Sequence, residues 1–491
     1  MRQMSTPRDP DGYIGIDVGT QGLKAVVVDD HGQVVFTAFH AYATHSPQAG
    51  WREQDPRDWE KALTQTLHNI STAGLPVRYR GIGVSGQMHT TVVTNESGDP
   101  LYPAMLWSDQ RTANYARQLE TRYGLQALLE LTGNKPLSNF SLLRVLWLQE
   151  QRHDVYQNIS HVAVAKDWIR FQLTGRWATD VTDASGTYLL NVKKRHWAGE
   201  LLSSLDIPEK WWGAVFESAE IVGTMHYGPP EFHGLPVVAG SGDQAASAVG
   251  TGIALGDLGI SLGTSGVLFW PLERYQLPSH PSVHVFCHAE EKTWHWMSVT
   301  QSAALSLAWL RDQMFPLKSY RDLDQIAESA PQGSEGLLFL PYLNGERAPI
   351  MNPAAEGGFF GLSYRHHQSH VIRAVLEGVA YSLRHCYMTM NPGGLMNPIR
   401  MILTGGGAKS RLWAQILADV MGHDIIAADD PGAAVGAAWL VRSAITGTHD
   451  KMAVKQTSIY HPEHCKVYDQ GFLDYQRLVN SLTPLWDGKP H

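Results

Sequence analysis

Cysteine is scarce in this sequence. Its 491 residues hold three, Cys287, Cys386 and Cys465, far too scattered for a disulfide framework, so a cytoplasmic location is expected. Long apolar runs are missing as well. No stretch reaches the roughly 18 apolar residues of a membrane span. The first residues, Met1 to Gly12, are polar, without the apolar centre of a signal peptide, and read as a loose tail. Neither sign of charge dominates: the net charge is −8, which argues against a nucleic-acid partner bound through bulk charge. Two nucleotide signatures are absent. There is no Gly-x-x-x-x-Gly-Lys-Ser/Thr, and the glycines are not spaced as in the dinucleotide fingerprint. Histidine is abundant, and it clusters at His280, His284, Cys287 and His288, at His366, His367 and His370, and at His461, His464 and Cys465. None of these spacings matches a paired zinc motif, and with 23 histidines chance accounts for them.

What is present is an ordinary globular composition, 43% hydrophobic and 18% charged, in a chain long enough for two or more domains. Tyr13–Val28 is the most informative stretch: an apolar strand, the polar turn Asp17-Val18-Gly19-Thr20-Gln21-Gly22, and an apolar strand returning. Glycines let backbone N–H groups approach an anion, and Thr20 adds a hydroxyl donor. Asp17 at the mouth of the turn can hold Mg²⁺ directly or through water. An ordinary hairpin with a solvated aspartate fits the same residues. The pattern returns half a chain later as Ile260-Ser261-Leu262-Gly263-Thr264-Ser265-Gly266, with Ser261 where the first copy has Asp17. Two similar halves are expected, each offering a phosphate-binding hairpin to a shared cleft, with metal on the first only.

Other stretches are read in chain order. A helix is predicted over Pro56–Thr72, with Trp59, Leu63, Leu67 and Ile70 on one face. A short strand before Gly86 delivers Gln87-Met88-His89 to its C-terminal end, where open α/β sheets place ligands, although His89 standing alone would read as a surface-loop histidine. Leu106–Arg111 either lines a sugar pocket or forms a local ion pair. Residues 112–235 read as helices with inserted loops. Lys166-Asp167-Trp168 fits a solvated helix start, and Thr182–Thr187 a small-residue turn. At Leu235–Gly250 a buried strand meets a glycine turn, then Asp243-Gln244, then a helix of small residues; Asp243 fits a cleft-facing acid or an N-cap. Ser298–Leu310 is predicted as a helix, and Leu338–Arg347 as a strand running into a polar turn. Gly405-Gly406-Gly407, after the strand at Met401, lets backbone lie against a planar base or a phosphate. Pro431–Ala438 has the same small-residue texture as Asp243–Gly250.

Six of these motifs, in this order and over nearly the whole chain, resemble the FGGY carbohydrate kinases: Ile14–Thr20, Ser85–His89, Leu106–Arg111, Gly240–Ala245, Leu262–Gly266 and Leu403–Ser410. The Gln87-Met88-His89 triplet is more similar to the branch acting on D-xylulose than to the glycerol or ribulose kinases. The resemblance implies an α/β protein of two actin-like ATPase (ribonuclease H-like) domains, each a mixed five-stranded sheet with flanking helices. Residues 13–248 would bind the sugar and 249–491 the ATP. It implies ATP-dependent phosphorylation of D-xylulose in the cleft, with Asp243 accepting the hydroxyl proton and Mg²⁺ near Asp17. Gln87, Met88, His89, Asp167 and Gln244 would serve the sugar. Gly19, Thr20, Gln21, Gly263 and Thr264 would serve the phosphates, and Gly405, Gly406, Gly407 and Ser410 the adenosine. Gln244 stands where some relatives have Asn, and Arg144 where some have Lys, which leaves the sugar open. A kinase for L-xylulose, ribulose, gluconate or a tetrulose is the nearest rival. A nucleotide-gated binding protein without phosphoryl transfer ranks lower because of Asp243 and the Gln87-Met88-His89 loop, and a catalytically dead sensor ranks last because both acids are present. A homodimer is implied by the resemblance alone.

Overall fold

The computed structural model describes residues 9–487. Residues 1–8 of the expected N-terminal tail lie outside the described residues, and its last two belong to the fold: β1 begins at Asp11, and Gly12 already pairs with Asp29.

The first sheet contains β1 (Asp11–Val18), β2 (Gly22–Asp29), β3 (Val34–Ala41), β4 (Arg78–Gly86), β5 (Ile221–Thr224), β6 (Pro236–Val238) and β7 (Ser241–Gly242). Its order is β5-β6-β4-β1-β2-β3, with β7 paired to β4. The second contains β8 (Leu258–Leu262), β9 (Gly266–Leu272), β10 (His284–Cys287), β11 (Trp294–Thr300), β12 (Met401–Thr404), β13 (Ile425–Ala428) and β14 (Gln456–Tyr460). Its order is β10-β11-β9-β8-β12-β13-β14. Six strands of each sheet match in order and polarity, leaving β7 and β10 without counterparts. β1–β2–β3 and β8–β9–β11 are antiparallel meanders, β4 and β12 join the first strand of each in parallel, and the far strand is antiparallel in both. The two Gly-Thr turns therefore occupy equivalent places in a duplicated fold.

Each sheet has seven strands rather than the expected five. The extra strands are short edge pieces, too brief to show a period of two. For the same reason residues 112–235 are not simply helical: they include strands at His161–Val164, Ala178–Asp180 and Ala214–Phe216 besides β5. Ser298–Thr300 belongs to β11 and the helix starts only at Ala304, because pairing with β9 overrides a composition that favours neither state.

The halves exchange helices. Helix α1 (Pro56–Thr72) buries Trp59, Leu63, Leu67 and Ile70 against the first sheet as its period requires. Helix α2 (Ala165–Thr174) follows the strand at His161–Val164. But α3 (Asp243–Thr251), from the first half, packs Ala248 with Phe269, Ile402 and Ala428 of the second sheet. In return α6 (Ala433–Thr446), which follows α4 (Gln368–Met390) and α5 (Arg411–Met421), packs Ala434, Val435, Ala438 and Val441 with Tyr13, Val26, Val28 and Val238 of the first. This explains their shared texture. A methyl group on Gly83 would fall 1.9 Å from the Ala437 carbonyl oxygen, so α6 reaches β4 backbone to backbone. Across the cleft, the Asn134 side chain bridges to β10, donating to the Val285 carbonyl at 2.8 Å and accepting from its N–H at 3.1 Å.

Candidate active site

Asp17 and Asp243 come from separate strand ends of the first sheet. Asp17 is the penultimate residue of β1, and Lys24 stands directly across from it on β2. Ser85 Oγ on β4 donates to Asp17 Oδ1 at 3.0 Å. Burial pushes the Asp17 carboxyl up to about 6, against the pull of the Ser85 hydroxyl and the Lys24 ammonium. Its other oxygen, Oδ2, takes no hydrogen bond from the described residues.

Asp243 opens α3 immediately after β7. The junction is possible only with glycine: Gly240 has φ +82°, and a methyl on Gly242 would lie 2.7 Å from Met88 Cγ. Asp243 is thereby set beside the Gln87-Met88-His89 loop. Burial pushes its carboxyl up to about 7, and the charge of Asp17 pushes the same way, while hydrogen bonds from Gln244 pull it back. Gln244 is thus placed as a partner of Asp243.

The loop after β4 divides its work. His89 is buried with φ +66°, and its Nδ1 lies 2.7 Å from the Gly186 carbonyl. A carbonyl only accepts, so Nδ1 carries the proton and Nε2 is left as an acceptor. Burial pushes this imidazole down to about 3, so it is neutral at any working pH. Its backbone carbonyl accepts from Arg144 Nη1 at 3.1 Å; the buried Arg144 fork also donates to the carbonyls of Asn139 and Leu106. A guanidinium ties three loops here, which an ammonium would not span with the same planar fork. Gln87 points inward instead: Thr20 Oγ1 donates to its Oε1 at 3.0 Å, and its Nε2 donates to Gln54 Oε1 at 3.0 Å. Trp107 Nε1 donates to Thr20 Oγ1 at 3.1 Å, which gives the Leu106–Arg111 cluster a supporting role under the first hairpin. Gln21 at the tip is exposed, and the Gly19 N–H closes the turn onto Gly22 O at 3.1 Å.

Asp167, expected to serve the sugar, is ion-paired inside the fold. The fully buried Lys166 ammonium lies 2.6 Å from Asp167, 2.9 Å from Asp180 and 3.5 Å from Asp183. Asp167 Oδ1 also accepts from Arg170 at 2.7 Å, so its charge is matched inside the protein. Lys166 is buried where a solvated helix start was an option. Asp183 is the acid the motif reading overlooks. It is buried, neither carboxylate oxygen receives a hydrogen bond, and burial raises its proton affinity well above the usual carboxylate range. Lys24 and Ser85 were also missed; a lysine inside an otherwise apolar strand was the available signal for the first.

On the second sheet the glycine turns meet. A methyl on Gly405 would lie 2.8 Å from the Leu262 carbonyl oxygen and one on Gly407 2.4 Å from Leu262 Cδ2, so this turn lies against the strand that leads into Gly263-Thr264. Gly406 faces open space, Thr264 is exposed, and Ser410 Oγ caps α5 by accepting from Trp413 N at 3.0 Å.

Two duplicated sheets with exchanged helices, and glycine turns at matching strand ends, define the actin-like ATPase class of fold, here carrying a phosphotransferase cleft. Residues 12–250 match the N-terminal domain of the FGGY family of carbohydrate kinases, and residues 258–444 its C-terminal domain. The chain belongs to this family and is a sugar kinase. It is 37% identical over 485 residues to a xylulose kinase of Klebsiella pneumoniae and 35% identical over 485 residues to one of Escherichia coli K12. Each alignment covers 96% of this chain and 99% of the relative. A crystal structure of a xylulose kinase of Brucella ovis superposes with a TM-score of 0.89 at 32% identity, covering 96% of this chain and all of that one. Among the described residues no helix is long and apolar enough to cross a membrane.

Proposed function

We propose that the protein transfers the γ-phosphoryl group of ATP to the primary hydroxyl of D-xylulose, giving D-xylulose 5-phosphate and ADP. The sugar hydroxyl oxygen attacks the γ-phosphorus and its proton passes to Asp243. The bond from that phosphorus to the β-bridging oxygen breaks, and ADP leaves with the electron pair. The observation that carries this reading is the placement of Asp243. It follows Gly242, which abuts Met88, and has a proton affinity near 7, where a carboxylate is ionised often enough to accept a proton and basic enough to keep it. Neutral His89 offers Nε2 to a sugar hydroxyl, and the Met88 stem gives the sugar an apolar wall.

Mg²⁺ fits Asp17: its Oδ2 is free, and its raised proton affinity marks a carboxylate in need of a cation. The metal would neutralise charge on the phosphates there. The Gly19 and Gly263 N–H groups close their own turns and the Thr20 hydroxyl is given to Gln87, so Gly19 and Gly263 shape the turns. The backbone N–H of Thr20 on one side, and Thr264 and Gly405–Gly407 on the other, are the donors offered to the nucleotide. Gln87 and Asp167 act behind these groups, fixing Thr20 and the Lys166 cluster.

The test is ADP release from MgATP with D-xylulose and with L-xylulose, ribulose, gluconate and tetruloses. Stimulation by D-xylulose well above the others is expected. Preference for another sugar would move the substrate and keep the base; no stimulation by any of them would overturn the kinase reading of this site.

A further inference from the structure

The polar turn at Asn344–Arg347 takes no part in the assignments above, although it ends in adjacent opposite charges. Glu346 attracts its neighbour's charge but makes no ion pair or side-chain hydrogen bond with the guanidinium. Glu346 Oε1 accepts from the backbone N–H groups of Gln301, at 2.6 Å, and Arg347, at 2.7 Å, and its Oε2 is buried without a hydrogen bond. Burial pushes this carboxyl up to about 8, which weakens its claim on a cation further. The Arg347 guanidinium is half-buried and makes no hydrogen bond or ion pair with the described residues.

Its backbone is clamped to the end of β11. The Ala348 N–H donates to Val299 O at 3.0 Å, and Glu346 holds Gln301. The next residues reach the second phosphate turn: Ala303 N donates to Thr264 O at 2.9 Å, and Ala304 N to Gly263 O at 2.9 Å. On the other side, the Arg347 charge lowers the proton affinity of both His89, from the first half, and His284, from the second. These two rings share Phe140 and Phe286 as neighbours. Arg347 is thus tied through its backbone and the end of β11 to the Gly263–Ser265 turn, and its charge reaches the His89 loop.

From this juxtaposition of an unpaired guanidinium with the phosphate turn and the sugar loop, we infer that Arg347 binds the γ-phosphoryl group of ATP as it crosses to the sugar. A neutral sugar hydroxyl would not repay removing a cation from water, whereas a phosphoryl group carries the charge and the paired oxygens a guanidinium fits. The group in transit spreads its negative charge over three outer oxygens, and a fixed donor there stabilises the transition state more than the bound substrates. The inference rests on the phosphoryl-transfer reading of the cleft but not on which sugar is used.

The test compares Arg347→Ala and Arg347→Lys with the unmodified protein in two assays. In the first, without sugar, Mg-ADP and the imido analogue of ATP are titrated separately. The alanine variant is expected to bind ADP normally and the analogue about tenfold more weakly. Equal affinities for the analogue, or an equal loss for both nucleotides, would overturn the inference. In the second, kcat with the preferred sugar is expected to fall about 100-fold or more in the alanine variant. The sugar KM should change less than twofold, the lysine variant should retain part of the rate, and added guanidinium ion should restore some of it. A raised sugar KM with normal kcat would make Arg347 a sugar contact and overturn the inference. Since the guanidinium has no protein partner to lose, the melting temperature should not fall, and a fall with normal kcat would assign it a structural role. If no sugar accelerates ADP release in the unmodified protein, the kinase reading fails while the nucleotide comparison still decides what Arg347 binds.

Discussion

Gly436 lies against the carbonyl of Ala246 so closely that a methyl group added to it would stand 1.8 Å from that oxygen. This is where the two exchanged helices, α3 and α6, cross. Gly250, one turn further along α3, meets the same point: its own added methyl would lie 2.9 Å from Gly436 N. Since each helix belongs by sequence to one half and packs on the sheet of the other, the crossing is the joint between them. Gly436→Ala should therefore destabilise the protein by about 3 kcal/mol, the upper end of overpacking, because rigid backbone rather than a flexible side chain must yield. Better helix propensity would return only about 1 kcal/mol. Urea unfolding measures the difference; a neutral or stabilised variant would show that the crossing is not tight.

Asp243 links activity to stability with opposite signs. Its carboxyl is held at about 7 in the folded protein, against an ordinary value of 3.8. The fold thus disfavours the charged form, and stability is lost as pH rises from about 4 through 7. Proton acceptance needs that charged form. Rate should fall as pH drops below about 7, and Asp243→Asn should abolish turnover while sugar still binds. In EDTA, the asparagine variant should melt higher than the unmodified protein at pH 8 and no higher at pH 3.5. A variant that is less stable at pH 8 would argue that Asp243 is a structural cap.

Lys166 holds three buried carboxylates, so its removal should be severe. Lys166→Met leaves Asp167, Asp180 and Asp183 with Arg170 as the remaining close cation. A loss of about 3–5 kcal/mol is expected. Without the ammonium the carboxylates take up protons in the fold that they release when unfolded, so the deficit should shrink as pH falls from 8 to 5. Denaturant melts at both pH values give the comparison, and a deficit independent of pH would mean the carboxylates are matched by other donors.

The parts of this molecule written in local pattern are legible in the sequence. Alternating and helical periods locate β1, β2, β4 and α1, and the repeated Gly-Thr turn announces the duplication without any sheet in view. Asp17 and Asp243 stand out because each lies at the C-terminal end of a strand within two residues of a glycine. What the pattern does not carry is partnership across distance. Nothing near Asp167 reveals that Lys166 turns inward to Asp180 and Asp183, and nothing in the small-residue runs at 243 and 433 says that each packs on the opposite sheet. Arg347 reads only as the end of a polar turn, because the backbone donors that occupy Glu346 come partly from Gln301, distant in sequence.

Gln87 is the sharpest case, and it yields a test. Sequence groups it with Met88 and His89 as a sugar contact, yet its amide joins Thr20 to Gln54, and Gln54 Oε1 also accepts from Trp59 Nε1 at 3.0 Å. Gln54 in turn donates to the Thr20 carbonyl at 2.7 Å. The chain of amides therefore fixes the backbone and the hydroxyl of the first phosphate turn. Gln87→Leu keeps the volume but leaves the buried Gln54 and Thr20 groups short of a partner each, which costs about 1–3 kcal/mol of stability. Because the turn rather than the sugar loop loses its support, KM for ATP should rise several-fold while KM for the sugar stays within twofold. Steady-state kinetics with each substrate varied in turn separates the two. A sugar KM that rises while the ATP KM stays fixed would return Gln87 to the sugar and leave Thr20 to be held by Trp107 and Gln54.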